Sequence, residues 1–452
     1  MASVIDSPLF GDLWSTAEMR RLWSDESTVQ RWLDAEAALA RAQAELDIIP
    51  RPHAAEITRK ARVELLDLGE MKRQLEHTRH PIMPLVRGLQ AACEPAAGEW
   101  IHWGATTQDI MDTGLVLQLR AATDIVTRDL GRVRDLLAGL ARRHRDTVQP
   151  GRTHGQQALP ITFGYKVAVW AAEVGRHQER LAQMAPRVFR GQLAGAVGTL
   201  ASIGSQGRRL QELYCAELGL GVPDIAWHTA RDGVAEAVCV FAMVGSTLAK
   251  IADEVIGLQR TEVAEVEEPF HMGKVGSSTM PHKRNPSACE GVVALGRVLQ
   301  AQVAPALTGM LAQNERDKRG NLAEAAFVAE ASCLLAGMLS SMIRVLEGLR
   351  VDRAQMARNL ERLGGLLLSE NVMLALGRTI GRQHAHEVLY ELCMRAVEDG
   401  VPLKRLLLED RRVAAHLGEA DIDALLDPAR YTGLAGEFVD RVVGSGGRPA
   451  PP

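Results

Sequence analysis

The sequence predicts an all-α protein, and three observations carry that prediction. Ala, Leu, Val, Glu and Arg dominate the composition while aromatics make up only 4%, a bias that favours helix. The piece 18–46 places Trp32, Ala35, Leu39 and Ala42 at helical spacing. From 233 to about 267 there is no proline, and Phe241, Leu248 and Val255 recur every seven residues, as do Val244, Ile251 and Leu258. Their alternating steps of three and four make an apolar seam for packing against neighbouring helices.

At 452 residues the chain exceeds one ordinary core, and three helical domains are expected. Residues 1–112 read as moderate helices separated by Pro50, Pro52, Pro81, Pro84 and Pro95, with a histidine-rich break at 77–84. Residues 113–350 read as a central domain of long helices. Its helical patterns cover 113–148, about 160–185, 233–267, 287–316 and 322–349. The glycine-spaced stretch 191–207 has no strand before it and no GK[ST] after it, so it reads as a connection or a close approach of segments. Residues 351–443 form a smaller helical domain punctuated by Gly364-Gly365, Gly381 and Gly400, and the tail 444–452 is expected to be disordered. Helices this long and apolar suggest a bundle that continues across subunits.

Several function classes are disfavoured. A formal net charge of −4 argues against a nucleic-acid surface. Six scattered cysteines without a CxxC pair fit reduced thiols better than disulfides or zinc. His384 and His386, two apart, point to different faces of a helix, and no other histidine–carboxylate spacing suggests a metal. No basic-then-apolar start marks a signal peptide, and no stretch is expected to reach the roughly 20 apolar residues of a membrane span. The reading is a cytoplasmic protein without nucleic-acid or membrane partners.

The chemistry concentrates in Gly273–Glu290, GKVGSSTMPHKRNPSACE. Glycines, prolines, two adjacent serines, a lysine and an asparagine exclude a helix interior or central strand. They suit a loop that closes over a carboxylate-bearing ligand, since backbone N–H groups, hydroxyls, ammonium and amide all donate hydrogen bonds. Two further segments stand out, HWGATTQDIMDTGL (102–115) and GRTHGQQALPITFG (151–164).

The three segments together resemble the conserved regions of the fumarase/aspartase superfamily, over essentially the whole chain. The resemblance is closest to the adenylosuccinate lyase and bacterial 3-carboxy-cis,cis-muconate cycloisomerase branches. It implies a three-domain fold with a long central helical bundle, a homotetramer with each active site built from three subunits, and no metal or organic cofactor. It assigns Ser277 as general base and His154 as general acid or charge-relay histidine. Glu290 falls where adenylosuccinate lyases place the carboxylate that orients that histidine. Lys283 and Asn285 match loop positions that contact substrate carboxylate, with Ser278 and Met280 beside them. Thr106, Thr107 and Gln108 match the first region's carboxylate contacts, Thr153 and Gln156 lie beside the second, and His80 matches the lyase branch. A serine hydroxyl is a poor base in water, so Ser277 needs loop N–H groups and Lys283 to stabilise its alkoxide.

Segments such as 227–232 and 425–433 have a cycloisomerase flavour, but that branch commonly lacks the residues at 80, 154 and 290. A nitrogen leaving group benefits from an acid that protonates it. The expected activity is therefore β-elimination on a succinyl or N-substituted aspartate substrate, cleaving C–N and releasing fumarate. Cycloisomerase is the alternative; adenylosuccinate lyase proper and an inert crystallin-like protein rank below. After Glu315-Arg316-Asp317 the chain reads KRGNLAEAA, where adenylosuccinate lyases carry a serine- and histidine-rich run. A small polycarboxylate is thus expected in place of a nucleotide, with Lys318 or Arg319 as candidates to meet an extra carboxylate.

Overall fold

A computed structural model describes residues 3–271 and 273–444. In chain order its principal elements are α1 (Asp25–Glu45), α2 (Leu68–Thr78), α3 (Ile82–Ala92), α4 (Thr107–Arg143), β1 (Val148–Thr153), β2 (Gln156–Thr162), α5 (Phe163–Val188), α6 (Asp232–Gln259), β3 (Val266–Glu267), α7 (Ser287–Ala301), α8 (Lys318–Gly348) and β4 (Arg350–Val351). Shorter helices complete the C-terminal part, ending with Ala435–Gly444, so Gly444 closes a helix. The remainder of the expected tail, 445–452, lies outside the described residues.

The architecture is helical, as expected, with two small antiparallel pairs that helical periodicity did not predict, β1–β2 and β3–β4. The long pattern placed at 113–148 is a helix over Thr107–Arg143, and the chain then turns into strand. The hairpin forms because His154 (φ 52) and Gly155 (φ 78) both adopt left-handed backbone between the paired residues Thr153 and Gln156. Two positive-φ residues in a two-residue loop match the right-handed twist of the flanking strands. The pattern placed at 287–316 breaks after Ala301 into a short helix, Val303–Gly309.

The chain divides into two compact units, residues 1–130, 176–249 and 291–340, and residues 131–175, 250–290 and 341–452. In the first, α1 begins where the Ser24 hydroxyl accepts the Ser27 N–H at 3.2 Å, with Asp25 and Glu26 in the first turn complementing the helix dipole. Leu33, Leu39, Ile57, Leu85 and Leu89 form its buried core with Tyr214. The seam of α6 is buried as the periodicity predicted, from Phe241 and Val244 through Leu258. Gly245 explains one close approach: a Cβ there would sit 2.5 Å from Leu299 Cδ2. In the second unit, Arg152 of β1 forks onto the buried Glu265 carboxylate at 2.6 and 3.0 Å. A separate cluster around Val372, Leu389 and Leu407 fills the C-terminal helices.

Two helices, α6 and α8, are long and apolar enough to cross a membrane by length and composition, against the expectation of none. Two thirds of each apolar window (67%) is buried inside the protein, which is where a core helix hides the same residues.

Candidate active site

In the first unit the site is built on the N-terminus of α4. Asp109 reaches back to accept the Thr106 N–H at 3.0 Å, the return half of a capping box. The same buried carboxylate accepts the N–H groups of Ala194 and Gly195, each at 3.0 Å, and faces His228 Nε2 at 2.8 Å. The glycine-spaced stretch therefore cradles an internal carboxylate. One turn on, Asp112 pairs with the buried Arg231 at 2.8 and 3.0 Å, and Arg231 also binds Glu324. Asp112 and the His228 carbonyl take both amide hydrogens of Gln108, at 3.1 and 2.8 Å. Gln108 thus turns its carbonyl toward Arg316 Nε, at 3.5 Å, while Arg316 Nη1 donates to the Thr106 hydroxyl at 2.6 Å.

His80 occupies the break between α2 and α3. Arg79 stops α2 in left-handed conformation (φ 55). The Met83 N–H donates to His80 Nδ1 at 3.2 Å, so Nδ1 is an acceptor and the ring carries its proton on Nε2. Nε2 then donates to the Thr107 hydroxyl at 3.0 Å, which leaves the Thr107 proton free for a ligand. Burial, reinforced by the charges of Lys318, His102 and Arg316, holds the His80 pKa below the ordinary value, consistent with this neutral tautomer. These groups open onto a cavity of about 970 Å³, lined also by Leu75, Met111, Lys318 and Leu322.

In the second unit, Glu268 is buried and caps α7 from a distance, accepting the Ala288 and Cys289 N–H groups at 3.2 and 3.1 Å and the Lys274 ammonium at 2.7 Å. That anchors both ends of the loop. Between them the chain folds back on itself, and Asn285 Nδ2 donates to the Gly276 carbonyl at 2.7 Å. A Cβ at Gly276 would lie 2.1 Å from the Lys283 carbonyl oxygen, so only glycine fits. At the centre, Ser277 Oγ accepts the Met280 N–H at 3.0 Å and the Thr279 N–H at 3.4 Å. Lys283, Asn285 and Glu290 line a second cavity of about 1070 Å³ with Arg260, Arg284 and Arg353.

The structure thus gathers His80, Thr106, Thr107 and Gln108 at one place and Ser277, Lys283 and Asn285 on one loop. Ser278 and Met280 are exposed on that loop. Thr153, His154 and Gln156 stand exposed at the hairpin tip. Glu290 is exposed in the first turn of α7. Among the described residues no hydrogen bond joins His154 to Ser277 or Glu290. Sequence reasoning did not single out Arg316, Asp109, His228 or Arg231. The Glu315-Arg316-Asp317 and 227–232 segments carried the available signal, without indicating their partners.

A family model described as "Lyase" matches residues 14–301, and one described as "Adenylosuccinate lyase C-terminus" matches 365–442. The chain is 44% identical to an N-acetyl-S-(2-succino)cysteine lyase from Enterococcus italicus, over 97% of this chain and 96% of that one. Among solved structures, a fumarate lyase from Mesorhizobium sp. BNC1 matches with a TM-score of 0.91 at 42% identity, covering 97% of this chain and all (100%) of that one. A 3-carboxy-cis,cis-muconate lactonizing enzyme from Pseudomonas putida also matches at TM-score 0.91, with 36% identity over 97% and 98% of the two chains. With its signature loop, its α4 terminus and these likenesses over nearly its full length, the chain belongs to the lyase family of the fumarase/aspartase superfamily and is an enzyme of that superfamily.

Proposed function

We propose that this enzyme catalyses cofactor-independent β-elimination on a succinyl group that carries a heteroatom substituent, releasing fumarate. Ser277 takes the proton from the carbon next to one carboxylate, and the bond from the neighbouring carbon to the heteroatom breaks. The leaving group departs with a proton supplied through His154, which Glu290 orients. Lys283, Asn285, Ser278 and Met280 close over the carboxylate whose enolate develops. Thr106, Thr107, Gln108 and His80, with Thr153 and Gln156, hold the rest of the substrate. The observation that carries the reading is the pair of N–H groups on Ser277 Oγ. Hydrogen bonds to the charged form lower a pKa, so these donors are what a serine alkoxide requires.

Nitrogen is the leaving atom on the argument that an acid must protonate it. The printed name of the Enterococcus italicus relative favours sulfur as a second leaving atom. The lactonizing-enzyme likeness favours a second reaction, closure of a carboxymuconate by intramolecular carboxylate addition over the same enolate-stabilising loop. An ultraviolet assay separates these. Fumarate appearing from N-substituted aspartates or succinyl thioethers is the expected result, and loss of diene absorbance from carboxymuconate without fumarate formation would overturn it. Assembly as a homotetramer, with each site drawing its segments from several protomers, and a cytoplasmic location belong to the same proposal. Exposure of His154 and Glu290 in the isolated protomer supports it.

A further inference from the structure

The cavity beside His80 is mixed in its chemistry. Its lining combines the polar Thr107, Gln108 and Arg316, the last two adjacent at 3.5 Å, with the apolar Leu75, Met111 and Leu322, and Arg79 and Lys318 bring positive charge to it. Arg316 is already committed to Thr106 and Gln108. Lys318 is not committed in the same way. Its ammonium donates to the Arg79 carbonyl at 3.3 Å, and it makes no ion pair among the described residues. Arg79 likewise makes none, and Glu76 is the one acid among the cavity's lining residues. Arg319, by contrast, is turned away: its guanidinium donates to Asp317 at 2.9 and 3.2 Å and does not line the cavity. The charge of Lys318 is felt inside, since it helps to depress the His80 pKa.

We infer that Lys318, backed by Arg79, recognises a carboxylate on the leaving group, so that the substrate class is a succinyl adduct of a small amino-acid-like amine or thiol. The inference rests on the lyase reading above. The succinyl end meets the polar groups, the short stem of the leaving group lies against Leu75, Met111 and Leu322, and its own carboxylate meets the two cations. A cationic site with one neighbouring acid selects an anion, and the apolar walls disfavour a sugar or a base with many hydrogen-bonding groups.

Two matched substrate pairs test it, with fumarate release as the readout. One is N-acetyl-S-(2-succino)cysteine against its cysteine carboxamide, and the other is N-(carboxymethyl)aspartate against N-(carbamoylmethyl)aspartate. In at least one pair the acid is expected to exceed the amide in kcat/KM by about tenfold, the order of one charge-assisted hydrogen bond. Lys318→Met collapses that ratio toward one, Lys318→Arg retains it, and Lys318→Glu inverts it. Equal use of acid and amide by the native enzyme, or a ratio that survives Lys318→Met, overturns the inference and leaves the lyase reading standing. No fumarate from any of the four compounds overturns the lyase reading on these substrates and the inference with it.

Discussion

At the scale of single residues, environment decides which side chains can do chemistry. Ser277 gains its character from two backbone N–H groups and from Gly276, whose missing Cβ lets the loop close on the Lys283 carbonyl. His80 has its pKa lowered by burial first and then by the charges of Lys318, His102 and Arg316, while the Met83 N–H on Nδ1 places the ring proton on Nε2. His144 shows what burial and neighbouring cations do together. Its imidazole is buried against the edge of Phe163, and burial, with Arg353 and Arg143 nearby, pushes its pKa down to about 4. The unfolded chain takes up this proton near pH 6.5 while the folded one refuses it, so stability falls as pH drops from about 6.5 to about 4, by about 3 kcal/mol. His144→Gln, which cannot titrate, is expected to flatten that part of the profile; urea midpoints at pH 7 and 4.5 for both proteins check it. The donor-rich composition of the loop suggested a carboxylate ligand, and the family resemblance proposed roles for Ser277, Lys283 and Asn285, but neither gave the donors on Ser277 Oγ, which follow from the turn geometry.

At the scale of elements, the N-terminus of α4 is held by charge buried beneath it. Asp112 and Glu324 both depend on Arg231, and breaking a buried pair by removing one partner is costly. Arg231→Met is therefore expected to destabilise the fold by about 3–5 kcal/mol, read as a lowered urea midpoint. It should also raise KM for the substrate, because Asp112 fixes the Gln108 amide. Only part of this was legible. Thr106–Asp109 could be read as a motif, but Ala194, Gly195 and His228, which hold Asp109, lie far along the chain and leave no local periodic signal. The hairpin was missed for a different reason. Pro150, Pro160 and the polar run between them mask strand alternation, and the one available cue was a residue–glycine pair, His154-Gly155, at the turn.

At the scale of the molecule, seven-residue repetition in α6 predicted a buried seam, and Phe241, Val244, Leu248, Ile251 and Val255 are buried as expected. In the proposed mechanism Ser277 removes and returns the proton at the carbon beside the carboxylate. The reverse reaction in D₂O measures this directly, with fumarate and an amine or thiol as substrates and mass spectrometry of the adduct as readout. One deuterium per adduct at that carbon is expected with the native enzyme, and no enzymatic labelling with Ser277→Ala in correctly folded protein. Labelled adduct formed at the native rate by Ser277→Ala would contradict it.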